Sequence, residues 1–339
     1  MLVPRYAHTA TLLDDGRVLI FGGLSTGDAF VRSAELFDPF TGRSSRAPAP
    51  HRSRAFHTAT PLLNGTVLIA GGFVRPYSTS RTSELFDGRA FIFIESKMAV
   101  PRELHAATLL DDGRVLISGG FVGGVTSLTH CDLFDPVTSK FVPTAKMRYS
   151  RFGHAATRLS DGRVLITGGT QYPGEATLAA AEIYAPATGE FLPAGQMLAE
   201  RSRHTTTLLP DGRLLITGGY SAKAGRQLAS TELFDASSMM FAPGPEMAVA
   251  RMDHTATLLP DGRVLIAGGF NGISEPHTVA SCEVFDPQHN TFAPVSVLPS
   301  AVHEHKAVLL PDGTVLISGG LAIRGQARRY LGDTTIITP

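Results

Sequence analysis

Apolar and polar positions follow one recurring pattern along the chain, seen clearly in the stretch HTATLLPDGRVLIAGG at His254–Gly269. Two apolar runs flank a Pro-Asp-Gly turn, and a glycine pair ends the second run. The first run, HTATLL, predicts a strand, here called strand A. The second run, RVLIAGG, is apolar at consecutive positions and predicts strand B, covered on both of its faces. The Asp-Gly turn is typical of a tight hairpin whose central residues need φ > 0.

The same pattern occurs seven times at a nearly constant spacing. Successive glycine pairs are 49, 48, 49, 50, 50 and 51 residues apart, and a histidine stands 14 residues before each pair. A period near 50 residues is typical of propeller repeats. The glycine pairs begin at Gly22, Gly71, Gly119, Gly168, Gly218, Gly268 and Gly319. The histidines are His8, His57, His105, His154, His204, His254 and His305.

Each unit contains two further strands. Strand C is SAELFDP in the first unit and returns as TSELFDG, THCDLFDP, AAEIYAP, STELFDA and SCEVFDP. A fourth strand, D, is marked by Phe141, Phe191, Phe241 and Phe292. Four short antiparallel strands form a propeller blade, and seven blades arranged radially bury their faces against each other. Only 19 residues follow Gly320, so we expect a short seventh blade without strand D and ring closure mainly through burial between blades.

These units resemble kelch repeats, whose signature is a double glycine followed by an acidic-aromatic strand. The resemblance covers essentially the whole chain and is to bacterial-type repeats similar to those of the galactose oxidase central domain. It implies an all-β, seven-bladed propeller with four antiparallel strands per blade, and the short segment after Gly320 leaves the last blade incomplete. Strand D carries Phe where kelch repeats usually have Trp, and the chain has no Trp. We expect one domain over residues 1–339, with repeats at approximately 1–49, 50–97, 98–146, 147–196, 197–246, 247–297 and 298–339.

Composition narrows the classes of function. The 30 basic and 30 acidic residues leave no net charge, so nothing favours binding to nucleic acid or to an anionic membrane. The apolar runs are too short to cross a bilayer, and Met1 leads into no secretory signal. We therefore expect a cytoplasmic monomer, or a secreted protein if a leader was removed. Cys131 and Cys282 fall on opposite sides of the ring and are expected to be small buried residues rather than a disulfide.

The repeated polar residues are expected to hold the scaffold together. An arginine stands three residues before the histidine in six units, where the seventh has Val302; the same six units carry an acid in strand C, without a clear equivalent in the seventh. Because both are present or absent together, they predict a charge pair within or between blades, with direct ligand binding as the alternative. Seven histidines spread around a ring cannot gather at one metal and are expected to be structural. The arginines are Arg5, Arg54, Arg102, Arg151, Arg201 and Arg251, and the acids are Glu35, Glu84, Asp132, Glu182, Glu232 and Glu283.

Function is expected in the variable loops at one face of the propeller. The B–C loops, after each glycine pair, and the D–A loops, before each histidine, share this loop-rich face, and the A–B and C–D turns lie opposite. The residue after each glycine pair is mostly apolar, which fits either loop packing or a wall that faces a ligand: Leu24, Phe73, Phe121, Thr170, Tyr220, Phe270 and Leu321. The longer B–C loops add Asn271, Glu275 and His277 in blade six and Arg75, Tyr77 and Arg81 in blade two.

The two positions before each histidine vary most and predict a polarised channel mouth. Blades two to four contribute mainly apolar groups there, apart from Glu103. Blades five, six, seven and one instead contribute charged or polar groups, namely Arg203, Asp253, His303, Glu304 and Tyr6. The sequence therefore predicts one charged wall and one apolar wall.

The densest polar cluster is HEHK, which ends at Lys306, where the other six units have Thr or Ala. Asp253 and Glu304 are candidates for a general acid and base, with His303 and Tyr6 as further catalytic candidates. A solvated rim that serves only solubility is one alternative, and a metal site made by His303 with a carboxylate is another. We assign no metal ligand and no cofactor from the sequence.

We expect a propeller that binds a small molecule, peptide or glycan at its loop-rich face. Ligand contacts are expected from Arg203, Tyr220, Phe270, Asn271, Phe73, Phe121 and Glu103. The alternative is a metal-independent enzyme, such as a lyase, isomerase or cyclase, at the same mouth. The glycine pairs each end a strand, so they form no phosphate-binding loop of the P-loop or Rossmann kind.

Known enzymes with kelch propellers include copper radical oxidases, sialic acid epimerases and plant specifier proteins. The oxidase likeness implies Tyr and His copper ligands and a cysteine crosslinked to tyrosine, but neither Cys131 nor Cys282 is expected on the loop-rich face. The Glu-x-x-x-Asp-x-x-x-His spacing of the specifier proteins is absent from this sequence. Neither metal-dependent activity is therefore favoured.

Overall fold

The chain folds into a seven-bladed β-propeller, as the repeat predicts. A computed structural model describes residues 1–75, 78–272 and 277–339. In this part of the chain, each of the first six blades is a four-stranded antiparallel sheet in the order A-B-C-D, and the seventh is a three-stranded sheet, A-B-C. The helical content of the described residues is a single 3-10 turn at Thr26–Asp28. None of the described helices is long and apolar enough to cross a bilayer.

Strand A is innermost in each blade and packs beside strand A of both neighbouring blades, so the ring is closed. Strand A spans Thr9–Leu12, Thr58–Pro61, Ala106–Leu109, Ala155–Arg158, Thr205–Leu208, Thr255–Leu258 and Lys306–Leu309. Strand B spans Val18–Phe21, Val67–Ala70, Val115–Ser118, Val164–Thr167, Leu214–Thr217, Val264–Ala267 and Val315–Ser318.

The outer strands follow in the same order in each blade. Strand C spans Ala34–Asp38, Ser83–Phe86, Cys131–Asp135, Ala180–Ala185, Thr231–Asp235, Ser281–Asp286 and Thr334–Ile337. Strand D spans Arg43–Arg46, Phe91–Ile94, Lys140–Pro143, Glu190–Gln196, Met240–Pro243 and Thr291–Val297. Short hairpins in the B–C loops pair Leu24–Ser25 with Ala29–Phe30, Phe73–Val74 with Ser78–Thr79, Phe121–Val122 with Thr126–Ser127, Tyr220–Ser221 with Arg226–Gln227, and Leu321–Arg324 with Ala327–Tyr330.

The hydrophobic core lies between blades, which explains why strand B is apolar at consecutive positions. In blade one, Leu19 and Phe21 pack in the core shared with blade two, while Val18 and Ile20 pack against blade seven. Each side chain is essentially inaccessible to solvent, and burying one contributes about 1.5–3 kcal/mol. Alternate side chains of strand B therefore pack in two different cores, one on each side of the sheet.

Strands C and D are joined by pairs of aromatic rings in several blades. Phe134 and Phe141 are directly opposite in the register, with ring centroids 4.9 Å apart. Equivalent pairs recur in other blades at 4.7–5.2 Å. The phenylalanines that mark strand D in the sequence thus close the outer edge of the blade.

The A–B turn is a tight hairpin, as the sequence predicts, but one residue of the loop takes φ > 0, whereas the sequence predicts φ > 0 at the central residues. In blade one, the amide of Leu13 donates to the carbonyl of Arg17 (2.8 Å), and the amide of Gly16 donates to the carbonyl of Leu13 (3.0 Å). The loop therefore has three residues, and Gly16 alone takes a left-handed φ, of 83°. This is a type I turn followed by a glycine bulge, and Asp15 accepts the backbone amide of Arg17 at 3.0 Å.

The ring closes between blades seven and one through the same backbone contacts that join other blades. The amide of Gly320 donates to the carbonyl of Arg5 (2.8 Å), and the amide of Arg5 donates to the carbonyl of Leu331 (3.1 Å). The amino group of Met1 donates to the carbonyl of Gly332 at 2.9 Å. The seventh blade is short, as predicted from the sequence.

Candidate functional site

The repeated arginines and acids form buried ion pairs within the blades. In the described residues of the first six blades, each arginine donates to its strand-C carboxylate; Arg201 and Glu232 are 2.7 Å apart, for example, with side chains 0% and 2% exposed. Arg201 also donates to the carbonyl of Gly218 (2.6 Å), and Glu232 accepts the amides of Leu198 and Ala199 from the D–A loop. The other pairs are Arg5–Glu35, Arg54–Glu84, Arg102–Asp132, Arg151–Glu182 and Arg251–Glu283.

Blade seven replaces the ion pair with an uncharged pair. The strand-C acid lies opposite the third residue of strand B, as Glu283 lies opposite Ile266. The corresponding residue in blade seven is Thr335, opposite Ile317, and Val302 stands in the arginine position. The sequence alone leaves this equivalent unassigned, because strand C of blade seven lacks the acidic-aromatic motif.

The repeated histidines join neighbouring blades. Each is buried, and its Nε2 lies within hydrogen-bond distance of a hydroxyl on the preceding blade; His154 is 2.9 Å from Ser118 Oγ, and His57 is 3.0 Å from Thr9 Oγ1. Burial lowers the pKa of these imidazoles, to about 3 for His154. They are therefore neutral at pH 7, and they serve the contacts between blades.

The residue before each repeated histidine forms a ring around the channel mouth, which we call the mouth collar. All seven take a left-handed φ of 50–60°, a conformation that is uncommon outside glycine. Each amide after the first donates to the carbonyl of the equivalent residue in the preceding blade, as Glu304 does to Asp253 at 3.2 Å. The backbone thereby fixes the side chains of the mouth collar in a circle: Ala7, Phe56, Leu104, Gly153, Arg203, Asp253 and Glu304.

The mouth collar is charged on one half and apolar on the other, which agrees with the two walls expected from the sequence. Arg203 donates to Asp253 with Nη1 and Oδ2 3.0 Å apart, and the same Nη1 is 3.9 Å from Oε1 of Glu304. The side chain of Arg203 is 36% exposed, while those of Asp253 and Glu304 are each 16% exposed. Two carboxylates thus share one guanidinium in unequal geometry.

Burial governs the protonation of this charged half. Burial, followed by the negative charge of Asp253, raises the pKa of Glu304 to about 7. Burial lowers the pKa of His303 to about 4. Lys306 lies below them in strand A, where burial lowers its pKa and the charges of Glu304 and Asp253 act in the opposite sense. The ammonium of Lys306 makes no hydrogen bond to any residue that the structure describes.

His303 is placed beside the mouth collar by backbone pairing with the B–C loop. Its amide donates to the carbonyl of Leu321 (3.0 Å) and its carbonyl accepts the amide of Leu321 (2.9 Å). Its ring lies 5.4 Å from that of Phe270. The side chain is 8% exposed, yet neither ring nitrogen has a hydrogen-bond partner among the described residues, and Oε2 of Glu304 is buried and unpartnered in the same way.

The residues after the glycine pairs form part of the apolar wall. Each pairs with the residue two before the histidine, as Phe121 does with Glu103, so the B–C and D–A loops share one face. Phe121 packs on Phe152 with ring centroids 4.7 Å apart, and on Tyr172 at 5.4 Å. The residues after the pairs in blades seven and one, Leu321 and Leu24, are buried.

Glu103 lies in blade three, away from the charged half of the mouth collar. It is 9% exposed, and its carboxylate has no hydrogen-bond or ion-pair partner within the described ranges. Burial raises its pKa to about 7. The structure therefore separates Glu103 from Asp253 and Glu304 in both position and surroundings.

Tyr6 adjoins the charged half across the ring closure, but its hydroxyl is engaged elsewhere. It donates to Oδ1 of Asp28 at 2.7 Å, and Tyr330 donates to the same oxygen at 3.3 Å. Arg328 lies 3.6 Å from the other oxygen of Asp28. Burial, followed by the hydrogen bond to Asp28, raises the pKa of Tyr6, so the phenol is a donor at neutral pH rather than a base.

The structure therefore brings Arg203, Asp253, His303 and Glu304 together, with Phe270 against His303. Asn271 follows Phe270 and bonds through its amide to the carbonyl of His277 (2.8 Å). Tyr220 and Phe73 are half-buried at other points around the ring. Tyr77 and Glu275 lie outside the described residues. Sequence reasoning missed Asp28 and Tyr330, since both lie in variable B–C loops that carry no motif.

Concave surfaces also lie on the opposite face. A groove of about 580 Å³ between blades five and six is lined by turn residues such as Asp211, Arg263 and Gln288. A similar groove lies between blades four and five. Both are shallow spaces between repeated turns, where Arg213 and Arg263 pair with the aspartates of their own turns. At the channel mouth, by contrast, both ring nitrogens of His303 and Oε2 of Glu304 are buried without a partner among the described residues.

Comparison with known proteins shows the fold and no family. No protein-family model matches the chain. No curated protein sequence matches it either. Among solved structures, a fungal alcohol oxidase of the AA5 family, in complex with copper, aligns with a TM-score of 0.76 over 96% of this chain and 72% of that chain, at 17% sequence identity. This likeness supports the propeller architecture.

Proposed function

We propose that the protein binds a small molecule, peptide or glycan at the loop-rich channel mouth. The polar part of the ligand contacts Arg203, Asp253 and Glu304, and its apolar part lies toward the aromatic side chains that follow the glycine pairs. A concave site with an apolar wall and a few convergent polar groups is the usual form of a ligand site.

The observation that carries this proposal is a group of unpartnered polar atoms in the charged half of the mouth collar and in His303 beside it. Both ring nitrogens of His303 and Oε2 of Glu304 are buried without a partner in the described structure. Leaving one such group unsatisfied costs about 1–3 kcal/mol. A bound molecule with suitable donors and acceptors removes this cost, so the same feature that destabilises the free protein favours the complex.

We further propose that the repeats are kelch repeats. The glycine pair supports this assignment, since a Cβ at Gly168 would overlap the carbonyl oxygen of Arg201 and lie 2.8 Å from Cε1 of His204 in the next blade. Glycine at this position therefore allows the D–A loop of the next blade to approach strand B. The acidic-aromatic strand C supplies the partner of the buried arginine.

A metal-independent reaction at the same mouth is the second candidate. It is favoured by the unequal placement of two carboxylates, because Asp253 is 3.0 Å from Arg203 whereas Glu304 is 3.9 Å away. Carboxylates in different environments can divide the roles of acid and base. The ligand of such a lyase, isomerase or cyclase would be consumed, while that of a binding protein would be recovered unchanged.

The test is saturation-transfer NMR with a panel of monosaccharides, amino sugars, dipeptides and small hydroxy acids. We expect at least one class to give signals with the wild type, to lose them with Asp253→Asn or Glu304→Gln, and to keep them with Asp211→Asn on the opposite face. Spectra recorded over a day show whether the binder is transformed. Signals that persist in both mouth variants would place the site elsewhere.

A further inference from the structure

We propose that Asp253, His303 and Glu304 form a binding site for one divalent transition-metal ion of the Zn²⁺ or Mn²⁺ class. One donor atom from each residue lies within 4.8 Å of the other two. The inference deepens the proposed function, because the ion lies at the same channel mouth where the ligand is proposed to bind.

The backbone holds the donors in place from two blades. Asp253 belongs to blade six, and His303 and Glu304 belong to blade seven; the amide of Glu304 donates to the carbonyl of Asp253 at 3.2 Å. The left-handed φ of Asp253 (50°) and of Glu304 (51°) turns both side chains at equivalent points of the mouth collar. A site built on a hydrogen-bonded backbone loses little entropy when its side chains close on an ion.

A second observation, independent of the acidic residues, points to a ligand. His303 is 92% buried, since 8% of it is exposed, and neither of its ring nitrogens is satisfied by any described residue. The seven repeated histidines differ, because each has Nε2 within hydrogen-bond distance of a hydroxyl, as His305 has with Thr255 at 3.0 Å. An imidazole with two unsatisfied nitrogens beside two carboxylates has the composition of a metal site rather than of a packed core.

The donor set selects the kind of ion. One imidazole nitrogen and two carboxylates suit Zn²⁺, Mn²⁺ or Fe²⁺, whereas Cu⁺ prefers sulfur and Ca²⁺ prefers six or more oxygens. With metal–ligand distances near 2.1 Å, tetrahedral donors lie about 3.4 Å apart. The donor atoms lie within 4.8 Å of one another, so each distance between them needs to shorten by up to about 1.4 Å. Three protein ligands leave a coordination position open toward the mouth, which would receive the bound molecule.

Two positively charged side chains, Arg203 and Lys306, lie near Asp253, His303 and Glu304 and affect how an ion would bind there. Arg203 bonds Oδ2 of Asp253, while Oδ1 makes no hydrogen bond to a described residue, so Asp253 can bind an ion with one oxygen and retain Arg203 with the other. This arrangement is an outer contact of the kind that orients metal-binding carboxylates. Lys306 in strand A interacts with the carboxylates of Glu304 and Asp253, and its positive charge opposes the binding of any cation nearby.

The experiment is a Zn²⁺ titration of the full chain, tag-free and freed of metal with EDTA, by isothermal calorimetry at pH 7, with metal content checked by elemental analysis. We expect one Zn²⁺ per chain. His303→Asn should weaken binding by more than about 100-fold, since loss of even an outer-shell partner costs 10–100-fold. The matched control is His289→Asn, which alters an exposed histidine 2.7 Å from Asp286 on the opposite face, and it should bind like the wild type.

Thermal unfolding of each variant shows that it is folded, and Co²⁺ loading gives a visible spectrum that reports the coordination directly. No binding of Zn²⁺ or Mn²⁺ at 100-fold excess would overturn the inference, as would equal binding by His303→Asn and the wild type. Absence of the ion together with binding of a panel compound would refute the metal site alone. Zn²⁺ binding with no panel compound bound would refute the proposed function alone.

Discussion

The amide of Asp253 donates a 3.1 Å hydrogen bond to the carbonyl of Arg203, and the side chains of the same two residues meet at 3.0 Å. Neighbouring blades therefore present opposite charges side by side at the channel mouth, fixed by the backbone as well as by the ion pair. The same backbone link places Phe56 and Leu104 side by side on the other half. One hydrogen-bond pattern thus supports both walls, and only the side chains differ.

The buried ion pair of blade five should be strongly coupled. Replacing Arg201 with Val leaves Glu232 buried and uncompensated, and it should lower the free energy of unfolding by about 3–5 kcal/mol. The double variant Arg201→Val/Glu232→Thr copies the pair Val302 and Thr335 of blade seven. We expect it to lose at least about 2 kcal/mol less than the sum of the two single variants.

Urea unfolding of the four proteins measures this coupling. Arg213→Ala is the control, because Arg213 forms an exposed pair with Asp211 at 2.6 Å and should change stability by less than about 1 kcal/mol. Additive losses at positions 201 and 232 would contradict a coupled pair.

A methyl group should destabilise the protein more at a glycine of the pairs, which is closely packed, than at a left-handed glycine with open space around it. A Cβ at Gly168 would overlap the carbonyl oxygen of Arg201, whereas a Cβ at Gly225, also left-handed with φ of 63°, would meet nothing within 4 Å. Gly168→Ala should therefore cost about 3 kcal/mol or more through overpacking, and Gly225→Ala only about 1 kcal/mol of backbone strain. Thermal unfolding of both variants checks the difference, and similar losses would show that close packing is not the reason for the pair.

The structural histidines should make stability fall in acid. Burial lowers the pKa of His154 to about 3, so the unfolded chain binds a proton below pH 6.5 that the folded protein does not bind. The stabilisation is complete above pH 6.5 and is lost as the pH falls toward 3. The destabilisation caused by His154→Gln should thus be about 2 kcal/mol smaller at pH 5 than at pH 7. Urea unfolding of both proteins at the two pH values measures this difference. An equal loss of unfolding free energy at pH 5 and pH 7 would mean that His154 is charged in the folded protein at pH 5.

Glu103 should destabilise the free protein at alkaline pH. Burial raises its pKa to about 7, so the folded state holds a proton that the unfolded state releases above about pH 4.5, and stability from this group falls as the pH rises toward 7. Glu103→Gln should then stabilise the protein at pH 8 by about 1–3 kcal/mol and have little effect at pH 4.5. Unfolding at these two pH values provides the test, and destabilisation at pH 8 would reveal a partner for the carboxylate.

Much of the fold can be predicted from the sequence because the same structural residues recur from blade to blade. Leu19 and Phe21 predict strand B, and Phe141 predicts the outer strand. Blade seven lacks both the arginine, which is Val302 there, and the strand-C acid, and this joint absence predicts that the two residues pair in the other blades. The repeat presents the same evidence in several blades, so an ambiguous local pattern in one blade is resolved by the others.

The site is less accessible to sequence reasoning because its residues share no type. The left-handed φ of the mouth collar is carried by residues as different as Phe56 and Asp253, and Gly153 alone hints at it. The engagement of Tyr6 with Asp28 depends on a B–C loop whose course no motif sets. The sequence does show which positions before the repeated histidines are polar or charged, and these positions indicate the charged half of the mouth collar.

The positions at which small molecules bind the protein would show whether the channel mouth is the ligand site. Crystals of the protein should be soaked with a library of small polar and aromatic fragments, and the density of bound fragments located over the whole surface. We expect the fragments to gather at the channel mouth, with polar groups on Arg203, Asp253 and Glu304. Fragments that gather instead in the groove beside Asp211 and Arg263, with the mouth empty, would contradict it.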